Sequence, residues 1–152
     1  MQKLVAIAVI SLGVALPATA QDTSVDPRAV EACQASGGTF VQINDCLPDA
    51  HVAVVGMDAF DDLYPPEAAA IKIRCSELNE NVAAAFLCLT SAIDAAVELS
   101  AKLPAGSSLG DPIFDSVKST DLKDALRDRT MKARELFPEK RIWGGGIYYP
   151  YK

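Results

Sequence analysis

The chain has 152 residues, half of them hydrophobic, with 14 Lys and Arg against 20 Asp and Glu. One histidine and four cysteines are present, so a metal site built from several histidines of one chain is excluded. The net charge of −6 disfavours nucleic-acid binding, which rests on neutralising phosphates with cations.

The first element is an export signal. Met1-Gln2-Lys3 is a short basic start, Leu4 to Leu16 is almost wholly apolar, Pro17 breaks the run, and Ala18-Thr19-Ala20 is a small-x-small cleavage site. The run is too short to span about 30 Å of hydrocarbon. No cysteine follows the site and no twin arginine precedes the run, which points to the general secretion route. Residues 1–20 are therefore read as a cleaved signal peptide, 21–141 as one domain, and 142–152 as an aromatic, glycine-rich tail. A periplasmic or secreted location follows, with no transmembrane segment after cleavage, since nothing later reads as long and apolar enough to cross a membrane.

Asp26-Pro27 is a helix-start signal, an acid at the N-cap before proline at the first helical position. A short helix over Arg28 to Ser36 stops at Gly37-Gly38. Thr39 to Ile43 is β-prone; with a turn at Asn44-Asp45 and a return through Cys46-Leu47 before Pro48 it reads as a small β-hairpin. His51 to Val55 is an apolar run, a third strand or a buried connector, ended by Gly56. Asp58 to Tyr64 reads as a helical turn, cut by Pro65-Pro66. Pro66-Glu67 opens a helix to Leu78, with a break at Asn79 to Asn81.

The clearest periodicity follows. Val82, Phe86, Leu89, Ile93, Ala96, Ser100 and Leu103 recur at alternating steps of four and three, one apolar stripe on a long helix. Pro104 to Ser108 reads as a loop, and Asp111-Pro112 repeats the helix-start signal. A last helix runs from Asp121 to Phe137, with Leu122, Ala125, Leu126, Ala133 and Leu136 inward and Asp128 and Lys132 at acid-then-base spacing outward. The fold class is mainly α: a disulfide-stapled helical domain with a small N-terminal β-hairpin.

The cysteines form two equally spaced pairs, Cys33 with Cys46 and Cys75 with Cys88. Neither has the close spacing of a zinc or thioredoxin-like redox site. In an exported chain they read as structural disulfides. On one unbroken helix Cys75 and Cys88 would lie about 19–20 Å apart and roughly 140° around the axis. A break near Asn79 to Asn81 lets a helical hairpin join them. The pairing Cys33–Cys46 and Cys75–Cys88 is preferred among the three possible connectivities.

Catalytic signals are sparse, and no catalytic residue, metal ligand or cofactor is assigned. His51 sits in an apolar run without a nucleophile motif. Asp58, Asp61, Asp62 and Glu67 lack the spacing and turn glycine of a calcium loop and read as solvated helix-start acids. Charge is lopsided: 21–117 holds 4 basic and 15 acidic residues, 118–152 holds 9 basic and 5 acidic. Packing of the basic segment beside the acidic body is the simpler account, and steering of a charged partner the sharper one. The tail gathers the only tryptophan and three of the four tyrosines. Arg141, Trp143, Tyr148, Tyr149 and Tyr151 are the candidate partner-binding residues, because interface hot spots favour aromatics and arginine; docking of this segment on the chain's own core is the competing account.

The leading expectation is an exported, non-catalytic protein that binds another periplasmic or envelope protein as an accessory subunit, inhibitor or stress-related factor. A small-ligand or cell-envelope-binding domain is the alternative, and an enzyme of unfamiliar type the third.

Overall fold

A computed structural model describes residues 24–138. Residues 1–20, expected to be a signal peptide, and the tail, with Arg141, Trp143, Tyr148, Tyr149 and Tyr151, lie outside the described residues. Six α-helices follow one another: α1 (Pro27–Ala35), α2 (Phe40–Leu63), α3 (Ala69–Leu78), α4 (Val82–Lys102), α5 (Pro112–Val117) and α6 (Thr120–Arg134), with a 3-10 turn at Pro66–Ala68 leading into α3. No strand occurs among the described residues.

The helix starts follow their caps. The Asp26 and Asp111 side chains accept from the backbone N–H of Arg28 and Ile113, each one residue past a proline. Asn81 accepts from the Ala84 N–H at 2.8 Å and so opens α4 after the expected break. Asn79 closes α3 from the other side, its side-chain amide donating to the Cys75 carbonyl at 2.7 Å.

The N-terminal hairpin is corrected. Thr39 to Leu47, read as hairpin, and His51 to Val55, read as strand or connector, belong to the single helix α2. Its start is set by Gly37 and Gly38, both at positive φ, and by a capping box. The Thr39 N–H donates to the Gln42 side chain at 2.8 Å, and the Thr39 hydroxyl faces the Gln42 N–H at 3.5 Å. Pro48, read as a boundary, stands inside the helix. An internal proline removes one ladder hydrogen bond and costs about 3 kcal/mol. Here the Cys33–Cys46 bond, with Cα atoms 5.8 Å apart, pins the preceding turn to α1.

α2 is the hub, packed against α1, α4 and α6. Its middle is buried on several sides, from Pro48 to Phe60. The main core gathers Phe60, Leu89, Ile93, Val117 and Leu126. A smaller cluster joins Ala29 and Cys33 of α1 to Ala50 and Val54 of α2. The α3–α4 hairpin is closed by Cys75–Cys88, with Cα atoms 5.6 Å apart. The expected stripe on α4 faces the core, with Leu89, Ile93 and Ala96 buried.

Membrane-spanning capacity is also corrected. By length and composition alone α4 could cross a membrane, with a window of mean hydropathy 1.8. Core helices meet the same criterion, and α4 is tied to α3 by a disulfide and to the core by Leu89 and Ile93. Only 22% of that window is buried, however, so its outer side is more apolar than the core requires.

Candidate functional site

Three members of the acidic cluster, at the end of α2, are held in ion pairs. Asp58 meets Arg28 at 2.5 Å, Asp61 meets Lys72, and Asp62 faces Arg129 at 4.0 Å. Asp58, Asp61 and Asp62 stand in the last turns of α2, not at a helix start as expected, whereas Glu67 is exposed in the first turn of the 3-10 element. Acids there oppose the helix dipole, and cations from α1, α3 and α6 offset that opposition. Among the described residues no group of three or more His, Cys, Asp or Glu could hold a metal ion.

The basic segment packs partly on the acidic body. Lys123 of α6 meets Asp94 of α4 at 2.6 Å, and Arg134 faces Asp49 at 3.8 Å. Asp94 holds the Lys123 ammonium above its ordinary range. Asp128 and Lys132, at the favoured spacing, form no ion pair with each other among the described residues.

His51 is buried at 5% exposure in the middle of α2. The Asp26 backbone N–H donates to its Nδ1 at 3.1 Å, which places the ring proton on Nε2. The Phe137 ring meets it edge-on at 5.8 Å. His51 thus joins the start of α1 to the chain beyond α6, a structural position. Burial pushes its pKa below the ordinary 6.5, and the nearby Asp26 carboxylate opposes that only in part. The unfolded chain therefore binds a proton more readily than the folded one. Stability contributed by neutral His51 is complete above pH 6.5 and declines as pH falls toward the folded value. Urea unfolding at stepped pH should show a midpoint that drops below pH 6.5 in the native chain and a flatter profile in His51→Gln. The hydrogen bond from Arg28 is the chief cause that holds the Asp26 carboxyl below its ordinary range.

Among the described residues, a groove with binding geometry lies between α4 and α6. Phe86, Thr90, Ile93 and Asp94 of α4 face Lys123, Leu126, Arg127 and Thr130 of α6 across a groove of about 160 Å³. Ile93 and Leu126 are buried beneath it. The Thr90 and Thr130 hydroxyls donate to carbonyls of their own helices, Leu87 and Arg127, which leaves the groove walls apolar. At the rim Lys123 is neutralised by Asp94. Arg127 is exposed and makes no ion pair among the described residues. The groove therefore offers an apolar slot with one uncompensated guanidinium beside it.

The helix behind the groove shapes it. A Cβ built on Gly56 of α2 would overlap the Phe86 ring. Alanine in place of an internal helical glycine gains up to about 1 kcal/mol, whereas overpacking costs about 1–3 kcal/mol. Gly56→Ala should lower the unfolding free energy by about 1 kcal/mol and displace Phe86, seen as altered ring resonances in NMR spectra.

Deeper in the core, the Tyr64 ring stacks on Phe60 at 4.5 Å. Its buried hydroxyl has no hydrogen-bond partner among the described residues, and burial, with Asp94 nearby, pushes its pKa up to about 12.

None of the groove residues was singled out by sequence reasoning as a binding residue. Phe86, Ile93 and Leu126 were assigned only to the core, and the free charge of Arg127 depends on which acids its neighbours take. No family model, curated protein or solved structure matches this chain.

Proposed function

We propose that this protein is exported and non-catalytic, and that it grips another periplasmic or envelope protein. The ordered signal pattern of residues 1–20 and the two disulfides support a compartment where thiols stay oxidised. The commitment of His51 to the Asp26 N–H and of Asp58 and Asp61 to ion pairs favours binding over catalysis.

The groove between α4 and α6 carries the reading. Its volume of about 160 Å³ is close to the roughly 150 Å³ cavity that takes up a benzene ring. Small-molecule sites usually enclose about 300–1,000 Å³. The slot suits one aromatic side chain of a partner protein, with an acidic neighbour set against Arg127. Arg141, Trp143, Tyr148, Tyr149 and Tyr151 supply a second contact of hot-spot composition.

Affinity capture from periplasmic extract tests this, using the native chain, Arg127→Glu and a form lacking residues 143–152. One protein should be enriched by the native chain and lost by about tenfold or more with Arg127→Glu, the scale of a hot-spot charge. Arg127 is exposed, so the substitution leaves the fold intact. Equal capture by all three forms overturns the proposal, and undiminished capture by the shortened form removes the tail from it.

A further inference from the structure

α4 carries apolar surface that the core does not use. On its outer side Leu87, Ser91, Ala95 and Leu99 follow one another at steps of four, all exposed. Leu87 is 66% and Leu99 40% exposed. Steps of four trace one ridge of an α-helix. The neighbouring helix α3 exposes Ile73 and Leu78 as well.

The ridge reads large, small, small, large, the same in both directions, with its midpoint level with Ile93. An isologous contact requires a surface that is complementary to itself under a two-fold rotation. Two α4 helices laid antiparallel about an axis at that level place Leu87 against Leu99 of the second copy. Ser91 then meets the second copy's Ala95, so the backbones can approach closely at the centre while leucines close both ends.

Charge supports the same arrangement. Glu80, just before α4, and Lys102, its last residue, are both exposed and make no ion pair among the described residues. In the antiparallel pair each Lys102 arrives within about one helical turn of the other copy's Glu80. Asp94 is already paired with Lys123. The two Glu98 carboxylates fall on opposite sides of the axis, about 15 Å apart along it. The remaining free ends are thus of opposite sign where they meet.

We infer that the outer face of α4 is a self-association surface, which joins two copies of this chain antiparallel about a two-fold axis level with Ile93. This face does not include Arg127 or the α6 side of the groove, so its failure and that of the partner-binding proposal are separable. One helix ridge with its flanks is smaller than the roughly 1,200–2,000 Å² of a standard stable interface. The dimer is accordingly concentration-dependent.

Sedimentation velocity and light scattering on the oxidised chain from Gln21 to Lys152, up to about 1 mM, test the inference. The mass should rise from one chain towards two with concentration. Leu87→Glu should hold it at one, with circular dichroism unchanged and Tm unchanged at dilutions where both chains are single, because Leu87 faces solvent there. Glu80→Lys alone, and Lys102→Glu alone, should each weaken association about tenfold, through two symmetry-related pairs turned repulsive. The double reversal should restore it to within about twofold. A single-chain mass throughout, a dimer that withstands Leu87→Glu, or a double reversal weaker than either single change would each overturn it.

Discussion

Replacing Cys75 and Cys88 together by alanine should lower the unfolding free energy by about 3 kcal/mol, the chain-entropy value for a loop of this length. Urea denaturation of native and variant chains measures it. The loss should be concentrated in α3. Cys75 is the only fully buried residue of that helix, and α3 has no strongly apolar side of its own. Its packing partners are α4 and the 3-10 turn before it. Without the bond, amide exchange should accelerate through 69–78 while α2 and α4 keep their protection. The corresponding Cys33→Ala and Cys46→Ala pair should behave differently. α1 is held additionally by Ala29 in the smaller core and by the hydrogen bond from Asp26 to His51. Equal loss of exchange protection in α1 and α3 would contradict this ordering.

The second large effect belongs to Phe60. Its side chain is 1% exposed in the main core and stacks on Tyr64. Phe60→Ala should cost about 3–5 kcal/mol, the transfer loss together with the cavity left behind. A domain whose stability is about 5–15 kcal/mol would then be marginal, and in the variant the thermal transition should fall steeply or vanish. Phe60→Leu, which keeps most of the volume, should recover most of the loss. If alanine and leucine behave alike in thermal unfolding, Phe60 is not the packing centre described here.

The two substitutions act on different levels. The cysteines restrict the unfolded chain, and their partners can be inferred from spacing and a helix break. Phe60 acts through the folded core, where its weight depends on what surrounds it. Phe60 stands in a segment that shows no apolar periodicity, because α2 is enclosed by α1, α4 and α6. A helix buried on several sides has no single apolar face to announce it. Thr39 to Ile43 is a different case: these residues are exposed or half-buried, and the capping signature of Thr39 and Gln42 prevails over the β-propensity of their side chains. That signature was legible: a threonine followed three residues later by glutamine, just before an apolar run.

Read from residues alone, the cysteine pairing, the caps at Asp26, Asn81 and Asp111, and the core stripe of α4 follow from local chemistry. Each depends on neighbours a few positions apart in the chain, and the cysteine pairing needs only the helix break between Cys75 and Cys88. The course of α2 through Pro48, the burial of His51 and the groove between α4 and α6 were decided by tertiary packing. Arg127 is free and Lys123 is not because Asp94 lies across the groove from α6. Such pairings join residues about 30 positions apart, and no local pattern records which acid a cation meets when helices come together.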